Sequence, residues 1–340
     1  MPKVSVIIAL YNKEKYIRRA LDSICSQTFD DFEVVVVDDG STDDGPEIVN
    51  GYTDPRIHLI RQANAGPGAA RNRGVRESTA PYLAFLDADD EWIPKFLETS
   101  YEMLERHPAC SVSLVSRYEG ALREDRTPKF EQWGFYQGEW SLGLSSDMRF
   151  WKNIRNMFFT GAVMCKREEF ERFGGFYDNK RTVCGEDQYL WLQFAVNCKI
   201  FLICKPLVWY HSEASGLACR FRDAGIVQPY LLDPDPIRRN CPSENRALLE
   251  DLLINWAFSR ATLMCECQDA ESARQICRIF PKMKQSVWKY AKLKVKMRFP
   301  WAYRIFRHLK FNTLVARKKI DQHNINLLGV RKAEYSQDSS

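Results

Sequence analysis

The sequence predicts an α/β fold in which a doubly wound mixed sheet is flanked by helices. Short apolar runs rich in β-branched residues, typical of buried strands, alternate with segments whose apolar residues recur at helical spacing. The connections between these segments are short, as in βαβ units. Two of the runs end in groups of Asp residues, and open α/β sheets bind ligands at the carboxyl ends of their strands. The acidic strand ends therefore predict a functional site at that edge.

The first two strands each lead into a helix. Val4–Leu10 is a continuous apolar run, suited to a central parallel strand. The segment Glu14–Gln27 carries an apolar stripe at helical spacing and predicts the first helix. Phe32–Val37 is the second strand, and the hydroxyl of Ser41 or Thr42 is expected to cap the helix that follows.

The next two strands lead to the most acidic segment of the first hundred residues. Ile57–Arg61 is a short third strand, and a glycine-rich segment at 66–74 opens another helix. Tyr82–Leu86 is the fourth strand, and it ends in three acids, Asp87, Asp89 and Asp90. Clustered carboxylates repel one another, so such a site usually holds a cation. The alternative is that these acids are solvated and cap a helix beginning at Glu91.

Length and composition are those of an ordinary globular protein. The 340 residues are 45% hydrophobic and 27% charged, enough for one large α/β domain with an extension. We expect a catalytic domain at 1–220, with halves at 1–110 and 111–220, and a helical region at 221–335. The apolar runs are too short to span a bilayer. No signal peptide precedes the first strand, and the eleven cysteines lack metal-finger spacing, so we expect a cytoplasmic location with reduced thiols.

The C-terminal region is basic between residues 281 and 319. This segment contains thirteen Lys and Arg residues, interleaved with aromatic residues, and no Asp or Glu. The pattern suits a helix lying on an anionic membrane, which would make the protein peripheral to the inner face of the plasma membrane. It also suits a helix packed on the chain's own domain with its cationic stems directed outward. Nucleic-acid binding is disfavoured because no nucleic-acid module is visible.

Five motifs in order and spacing carry a resemblance that covers about residues 1–215. They are Val4-Ser-Val-Ile-Ile-Ala-Leu-Tyr-Asn-Lys-Glu14, Val35-Val-Val-Asp-Asp-Gly-Ser-Thr-Asp43, Ala69-Ala-Arg-Asn-Arg-Gly74, Phe85-Leu-Asp-Ala-Asp-Asp90 and Gly185-Glu-Asp-Gln-Tyr-Leu-Trp191. Together they resemble the family 2 glycosyltransferases. The resemblance implies a GT-A fold, a nucleotide-sugar donor, a divalent metal (Mn²⁺ or Mg²⁺) and inversion at the anomeric carbon.

The resemblance assigns five residues to the nucleotide-sugar site: Ala9, Tyr11, Asp39, Arg71 and Asp87. A carboxylate at Asp39 accepts a hydrogen bond from the imide N–H of uracil, thymine or guanine, whereas cytosine and adenine present an acceptor there. The alternative for Asp39 is helix capping, and Tyr11 could equally be a core aromatic. Arg71, at the start of a helix, suits a diphosphate. The neighbouring Arg73 could do the same, or either arginine could be a surface charge.

The expected metal ligands are Asp89 and Asp87, which form the Asp-x-Asp motif of the metal-dependent transferases that the chain resembles, and His211, a single histidine that follows a strand-like segment. We expect Asp89 to be the direct ligand, with Asp87 nearer the ribose or a bound water, because hard cations use one or two carboxylates together with phosphate oxygens. Asp90 is expected to lie behind these ligands. His211 is a third ligand, an acceptor contact or a structural histidine.

The pair Glu186-Asp187 precedes an apolar helical segment. A carboxylate at a helix N-terminus is favoured by the helix dipole and can act as a simple cap. The resemblance instead makes Asp187 the general base that removes the acceptor hydroxyl proton, with Glu186 beside it.

The sequence thus predicts an inverting glycosyltransferase that moves a sugar, with a UDP-sugar favoured, to a hydroxyl of a glycan or lipid-linked acceptor. A role in cell-surface polysaccharide synthesis is expected. The alternative, a sugar-1-phosphate nucleotidyltransferase, would need a Gly-rich triphosphate loop with a lysine directly after the first strand. This chain has Ala9-Leu-Tyr-Asn-Lys13 there, without glycine, which counts against it. A catalytically silent nucleotide-sugar-binding protein is the other alternative, against which the intact acids argue.

Overall fold

The computed structural model describes residues 1–141, 153, 156–179, 181, 182, 184–214 and 226–299. The chain divides after Asn255 into two compact units, the second of which begins at Trp256. The predicted domain boundary at residue 220, and the part of the predicted basic segment beyond residue 299, lie outside the described residues.

One mixed sheet forms the framework of the first unit. Its strands are β1 Val4–Leu10, β2 Phe32–Asp38, β3 Ile57–Arg61, β4 Tyr82–Asp87, β5 Glu91–Trp92, β6 Val112–Glu119, β7 Glu124–Asp125, β8 Gly138–Trp140, β9 Val163–Lys166 and β10 Ile200–Tyr210. Their order is β3-β2-β1-β4-β9-β6-β10-β5, with β7 beside β6 and β8 beside β10. The strands β1 to β4 are parallel to their neighbours in this group, whereas β9 runs antiparallel to both β4 and β6. The predicted mixed sheet is confirmed.

The strand order reverses at β1. From β1 the chain runs outward to β2 and β3, then returns to place β4 on the other side of β1. A reversal of this kind leaves a crevice at the carboxyl ends of the central strands. The site residues predicted at strand ends therefore share one edge of the sheet.

Helices flank this sheet and continue into the C-terminal region. In chain order they are α1 Ile17–Cys25, α2 Gly45–Asn50, α3 Pro67–Glu77, α4 Phe96–Arg106, α5 Thr127–Gln132, α6 Arg167–Arg172, α7 Glu186–Asn197, α8 Pro229–Leu232, α9 Asp235–Asn240, α10 Arg246–Glu266, α11 Ala270–Ile279 and α12 Val287–Arg298. No helix among the described residues is long and apolar enough to cross a membrane.

Two local expectations are wrong. The helix after β2 begins at Gly45 without a side-chain cap, because Ser41 and Thr42 instead form hydrogen bonds with Asn12. The segment at Glu91 is the short strand β5, which pairs with β10, and the next helix begins only at Phe96. The acids before it are therefore not solvated caps, and Asp90 is only 1% exposed.

Candidate active site

The carboxyl ends of β2, β1 and β4 bring the predicted residues to one edge. In the parallel register, Leu10 of β1 pairs with Asp38 of β2, and Ala9 pairs with Asp87 of β4. Ala9 is half-buried, unlike the rest of β1, which is buried. The structure therefore places Ala9 directly between the acidic ends of its two neighbouring strands, and its contact with a nucleotide sugar stays a prediction.

Asp39 is buried and holds the loop that leads into α3. One carboxylate oxygen accepts hydrogen bonds from the Ala65 N–H and from Nε2 of Gln62, and the other accepts one from the Gly66 N–H, each at 2.8 Å. The alternative of a simple helix cap does not describe this arrangement, since the bonds go to a loop 23 or more residues away. Tyr11, by contrast, is 43% exposed at the same edge, so it is not a core aromatic.

Arg71 joins the two halves of the site. Its Nη2 donates to Asp87 Oδ1 at 2.7 Å and its Nη1 to Glu186 Oε1 at 2.9 Å. The guanidinium also lies 5.1 Å from the centre of the Phe176 ring. These two carboxylates raise the pKa of Arg71 despite its burial, so the group is permanently charged. The predicted diphosphate contact stays a prediction, and Arg73 lies in a surface ion pair with Glu77.

The close approach of α3 to α7 makes this bridge possible. A Cβ on Gly68 would lie 2.5 Å from the Tyr177 carbonyl oxygen and 3.2 Å from Cγ of Glu186. Only glycine fits here without a shift in the backbone. Gly185, at φ +82°, turns the chain into α7 and sets Glu186 and Asp187 in its first turn.

The acidic loop after β4 is buried, and Lys13 and Arg19 lie against it. Asp89 forms an ion pair with Lys13, and its pKa is raised by burial and by the charge of Asp87, while Lys13 acts in the opposite direction. Asp90 accepts a hydrogen bond from the His211 N–H at 2.9 Å, whereas its other oxygen is buried without a hydrogen-bond partner in the described residues. Burial, then Asp87 and Asp89, raise the pKa of Asp90 well above its ordinary value.

His211 is buried behind this loop. Its Nδ1 lies 2.9 Å from Glu213 Oε1, its Nε2 lies 3.4 Å from Glu91 Oε1, and its ring stacks on Trp209. Nε2 makes no hydrogen bond within the described residues. Its predicted role as a metal ligand stays a prediction.

Asp187 is a half-buried acid that follows Glu186, the residue paired with Arg71. Its Oδ1 accepts from the Gln188 N–H at 2.7 Å, and its Oδ2 lies 3.5 Å from Oγ1 of Thr160. Burial and the neighbouring Glu186 raise its pKa to about 7, against the opposing effect of Arg71. Glu186 is engaged by Arg71, so Asp187 is the better placed of the two to take a proton near neutral pH.

A divalent cation fits the oxygen donors of this edge without a ready-made cage. The described residues hold no group of three or more His, Cys, Asp or Glu side chains spaced for a metal. Mg²⁺ and Mn²⁺ need only one or two carboxylates when phosphate and water oxygens complete the shell. The half-buried Asp87 and the buried Asp89 and Asp90 supply those carboxylates, and burial together with the neighbouring acids raises the pKa values of the last two.

Sequence reasoning missed three residues that the structure brings to the site: Lys13, Gln62 and Thr160. Lys13 was part of a quoted motif, but nothing in its local pattern pairs it with an acid 76 residues away. Gln62 and Thr160 lie outside every motif, and their contacts depend on the tertiary fold.

Solved structures share this fold. S. aureus TarS (residues 1–349) superposes with a TM-score of 0.55 at 19% identity, over 84% of this chain and 92% of that one. TarS 1–349 in complex with UDP gives 0.54 at 20% identity, over 84% and 91%. The mannosyltransferase PcManGT from Pyrobaculum calidifontis, in complex with GDP-Man and Mn²⁺, gives 0.54 at 17% identity, over 90% and 88%. At these identities the likeness concerns the fold, and the predicted GT-A fold is confirmed.

Curated relatives match a shorter part of the chain. An uncharacterized glycosyltransferase, YibD, of Escherichia coli is 45% identical over 30% of this chain and 30% of its own length. Glycosyltransferase GlyA of Streptococcus pneumoniae is 44% identical over 32% of this chain and 16% of its own length. The chain thus spans under a third of the length of these relatives. Residues 5–173 match the model described as Glycosyl transferase family 2, and through this domain the chain belongs to that family.

Proposed function

We propose that the protein is an inverting glycosyltransferase that moves a sugar from a nucleoside-diphosphate sugar to an acceptor hydroxyl. One observation carries the proposal: Arg71 ties the strand-end acid Asp87 to the Glu186-Asp187 pair. This bridge brings a base with a pKa of about 7 beside the acids of the donor edge. In an inverting reaction the base and the leaving diphosphate lie on opposite sides of the anomeric carbon, so the two groups must face one pocket.

Asp187 acts as the general base. Its carboxylate takes the proton of the acceptor hydroxyl as the oxygen attacks the anomeric carbon, and Glu186 keeps Arg71 in position. A pKa near neutrality combines a deprotonated fraction with useful basicity, and such a base contributes about 10²–10⁴ in rate.

The favoured donor is a UDP-sugar. Asp39 is buried at the end of β2. The half-buried Ala9 and the exposed Tyr11 lie at the same edge of the sheet. A carboxylate there accepts from the imide N–H of uracil or guanine and repels the acceptor atom of cytosine or adenine. Solved structures with the same fold are complexes with UDP, UDP-GlcNAc and GDP-Man, which supports this class of donor.

Mn²⁺ or Mg²⁺ is the proposed cofactor. Asp89 would hold it, with Asp87 nearer the ribose or a water and His211 as a third ligand. The cation supplies positive charge to the leaving diphosphate. The Mn²⁺ complex of PcManGT supports a divalent metal in this fold.

The proposed acceptor is a glycan or a lipid-linked glycan used in cell-surface polysaccharide synthesis, and the proposed location is the inner face of the plasma membrane. Helix α12 supports the membrane contact. Trp288 and Val295, seven residues apart on one face of this helix, are 82% and 62% exposed, and Phe299, just past the end of the helix, is 48% exposed. Residues 281–299 contain seven Lys and Arg and no acid. Each such cation near an anionic surface contributes about 1 kcal/mol to the free energy of membrane binding. The exposed apolar side chains can in addition insert between the lipids.

The membrane contact is tested by sedimentation with phosphatidylglycerol vesicles at low and high salt. We expect binding at low salt that weakens with salt and with neutral lipid, and that falls in Trp288→Ser but not in Leu122→Ser, which removes an exposed apolar side chain of the first unit. Equal recovery in the supernatant with and without vesicles at low salt would refute it. A helix docked on its own chain instead predicts no lipid preference.

The donor and metal assignments are tested by heat unfolding in the presence of UDP, GDP, CDP or ADP, with and without Mn²⁺. We expect UDP to raise the melting temperature mainly when Mn²⁺ is present, and EDTA to reverse the effect, because a ligand that binds the native state stabilises it by mass action. Asp89→Asn should abolish the metal-dependent part, whereas Asp235→Asn, at the exposed start of α9, should retain it. No shift with any nucleotide would contradict the proposed donor class.

A further inference from the structure

Lys13 is the counter-ion of the acid proposed to bind the metal. Its Nζ forms an ion pair with Asp89 Oδ2 and donates a second hydrogen bond to the Ala214 carbonyl oxygen at 3.2 Å. The ammonium also lies 5.6 Å from the centre of the Tyr16 ring. Both ends of the ion pair are mostly covered, at 19% exposed for Lys13 and 12% for Asp89. A cation already occupies the position that a metal ion would take on this carboxylate.

Arg71 and Lys13, the two cations paired with carboxylates at Asp87 and Asp89, are held with different strength. Arg71 forms ion pairs with two carboxylates and lies over an aromatic ring, and its side chain is only 7% exposed. Lys13 has one carboxylate and one carbonyl, and it reaches them through a flexible four-carbon stem. Of the two, Lys13 is therefore the cation that an incoming ion can displace.

The backbone on either side of Lys13 is fixed. The Asn12 N–H donates to Ser41 Oγ at 3.1 Å, and the Glu14 N–H donates to Asp43 Oδ2 at 2.8 Å. Displacement of the ammonium thus needs a change of side-chain rotamer and no movement of the loop. Such a change is fast and small compared with loop closure.

We propose that Lys13 is a built-in competitor of the divalent cation at Asp89. This inference rests on the proposed metal-dependent function and deepens it. Without nucleotide, Lys13 neutralises Asp89 and keeps metal affinity low. When a nucleoside diphosphate contributes its phosphate oxygens, the metal gains enough ligands to displace the ammonium. Metal and donor therefore bind together, and the coupling between them depends on the ion pair.

The test measures Mn²⁺ binding by isothermal titration, with and without UDP, in the full chain. Lys13→Met keeps an unbranched side chain only one atom shorter and removes its charge. We expect its Mn²⁺ affinity without UDP to rise about tenfold, equivalent to about 1.4 kcal/mol, and the enhancement by UDP to shrink. Lys13→Arg should behave like the wild type because the charge remains. Lys15→Met removes an exposed neighbouring cation and should leave Mn²⁺ affinity unchanged as well.

The outcomes separate this inference from the proposed function. Suppose that Lys13→Met melts close to the wild-type temperature and binds Mn²⁺ no more tightly than the wild type does. The proposed competition between Lys13 and the metal is then refuted. An unfolded Lys13→Met would leave Lys13→Arg and Lys13→Gln to decide, since the inference requires the two to differ in Mn²⁺ affinity. Binding of Mn²⁺ to none of these forms also overturns it, while UDP binding in the same samples reports independently on the proposed donor site.

Discussion

Replacing Asp187 with Asn should raise stability and lower activity at the same pH. Asn keeps the size of the side chain and an oxygen that can accept from the Gln188 N–H, but it carries no charge. The pKa of Asp187 is raised from 3.8 to about 7, chiefly by burial and by Glu186. The folded state thus holds this proton more tightly than the unfolded state, so ionisation opposes folding.

The magnitude follows from the two pKa values. A difference of roughly three pH units at 1.36 kcal/mol each gives an upper limit of about 4 kcal/mol. Because Asp187 is half-buried and interacts with Glu186 and Arg71, we expect about half of this value. This loss of folding stability is absent below 3.8, the pKa of Asp187 in the unfolded state. It grows as pH rises and reaches its full value above pH 7. Asp187→Asn should therefore be more stable than the wild type by about 2 kcal/mol at pH 8, and by less at pH 5.

Urea unfolding of both proteins at pH 5 and pH 8 measures this difference. Asp235→Asn is the matched control, since Asp235 also lies in the first turn of a helix but is 70% exposed. In parallel, turnover with a UDP-sugar should fall by about 10²–10⁴ while UDP affinity persists. Wild-type activity should rise with pH through about 7. An Asn variant that is no more stable at pH 8, or that keeps near-normal turnover, would refute the assignment of the base.

Three further substitutions test the framework of the site. Arg71→Met leaves Asp87 and Glu186 without their shared cation, so urea unfolding should register a loss of about 3–5 kcal/mol. Asp39→Ala removes the acceptor for three hydrogen bonds, and titration should find weaker UDP binding and a smaller preference for UDP over CDP. Gly68→Ala places a Cβ 2.5 Å from the Tyr177 carbonyl, and its melting temperature should fall by the equivalent of about 1–3 kcal/mol.

The strands were predictable because burial leaves a local pattern. Val4–Leu10 and Ile57–Arg61 have the predicted bounds. The apolar run Val4–Leu10 has few alternatives to a buried central strand. The antiparallel strand β9 and the two-residue strand β5 were not predicted, because their pairing depends on segments far away in the chain. The cap expected at Ser41 failed for the same reason, since Asn12 competes for its hydroxyl.

Only some of the features of the candidate site could likewise be predicted from the sequence. The motif residues Asp39, Asp87 and Asp89 reach one edge because parallel strands end together, which the sequence pattern implies. The ion pairs made at this edge could not be predicted from the sequence. Arg71 meets Glu186 across 115 residues, and Lys13 meets Asp89 across 76, so no local spacing encodes either pair.

A crystal structure of the protein with UDP and Mn²⁺ would show where the donor and the metal bind. We expect an anomalous Mn²⁺ peak at about 2.0–2.2 Å from Asp89, the distance of a small divalent cation from oxygen ligands, and next to the diphosphate. The uracil imide should face Asp39, and Asp187 should lie open to the acceptor side. Nucleotide bound away from the carboxyl ends of β1, β2 and β4, or Mn²⁺ held by residues other than this acidic loop, would contradict this expectation.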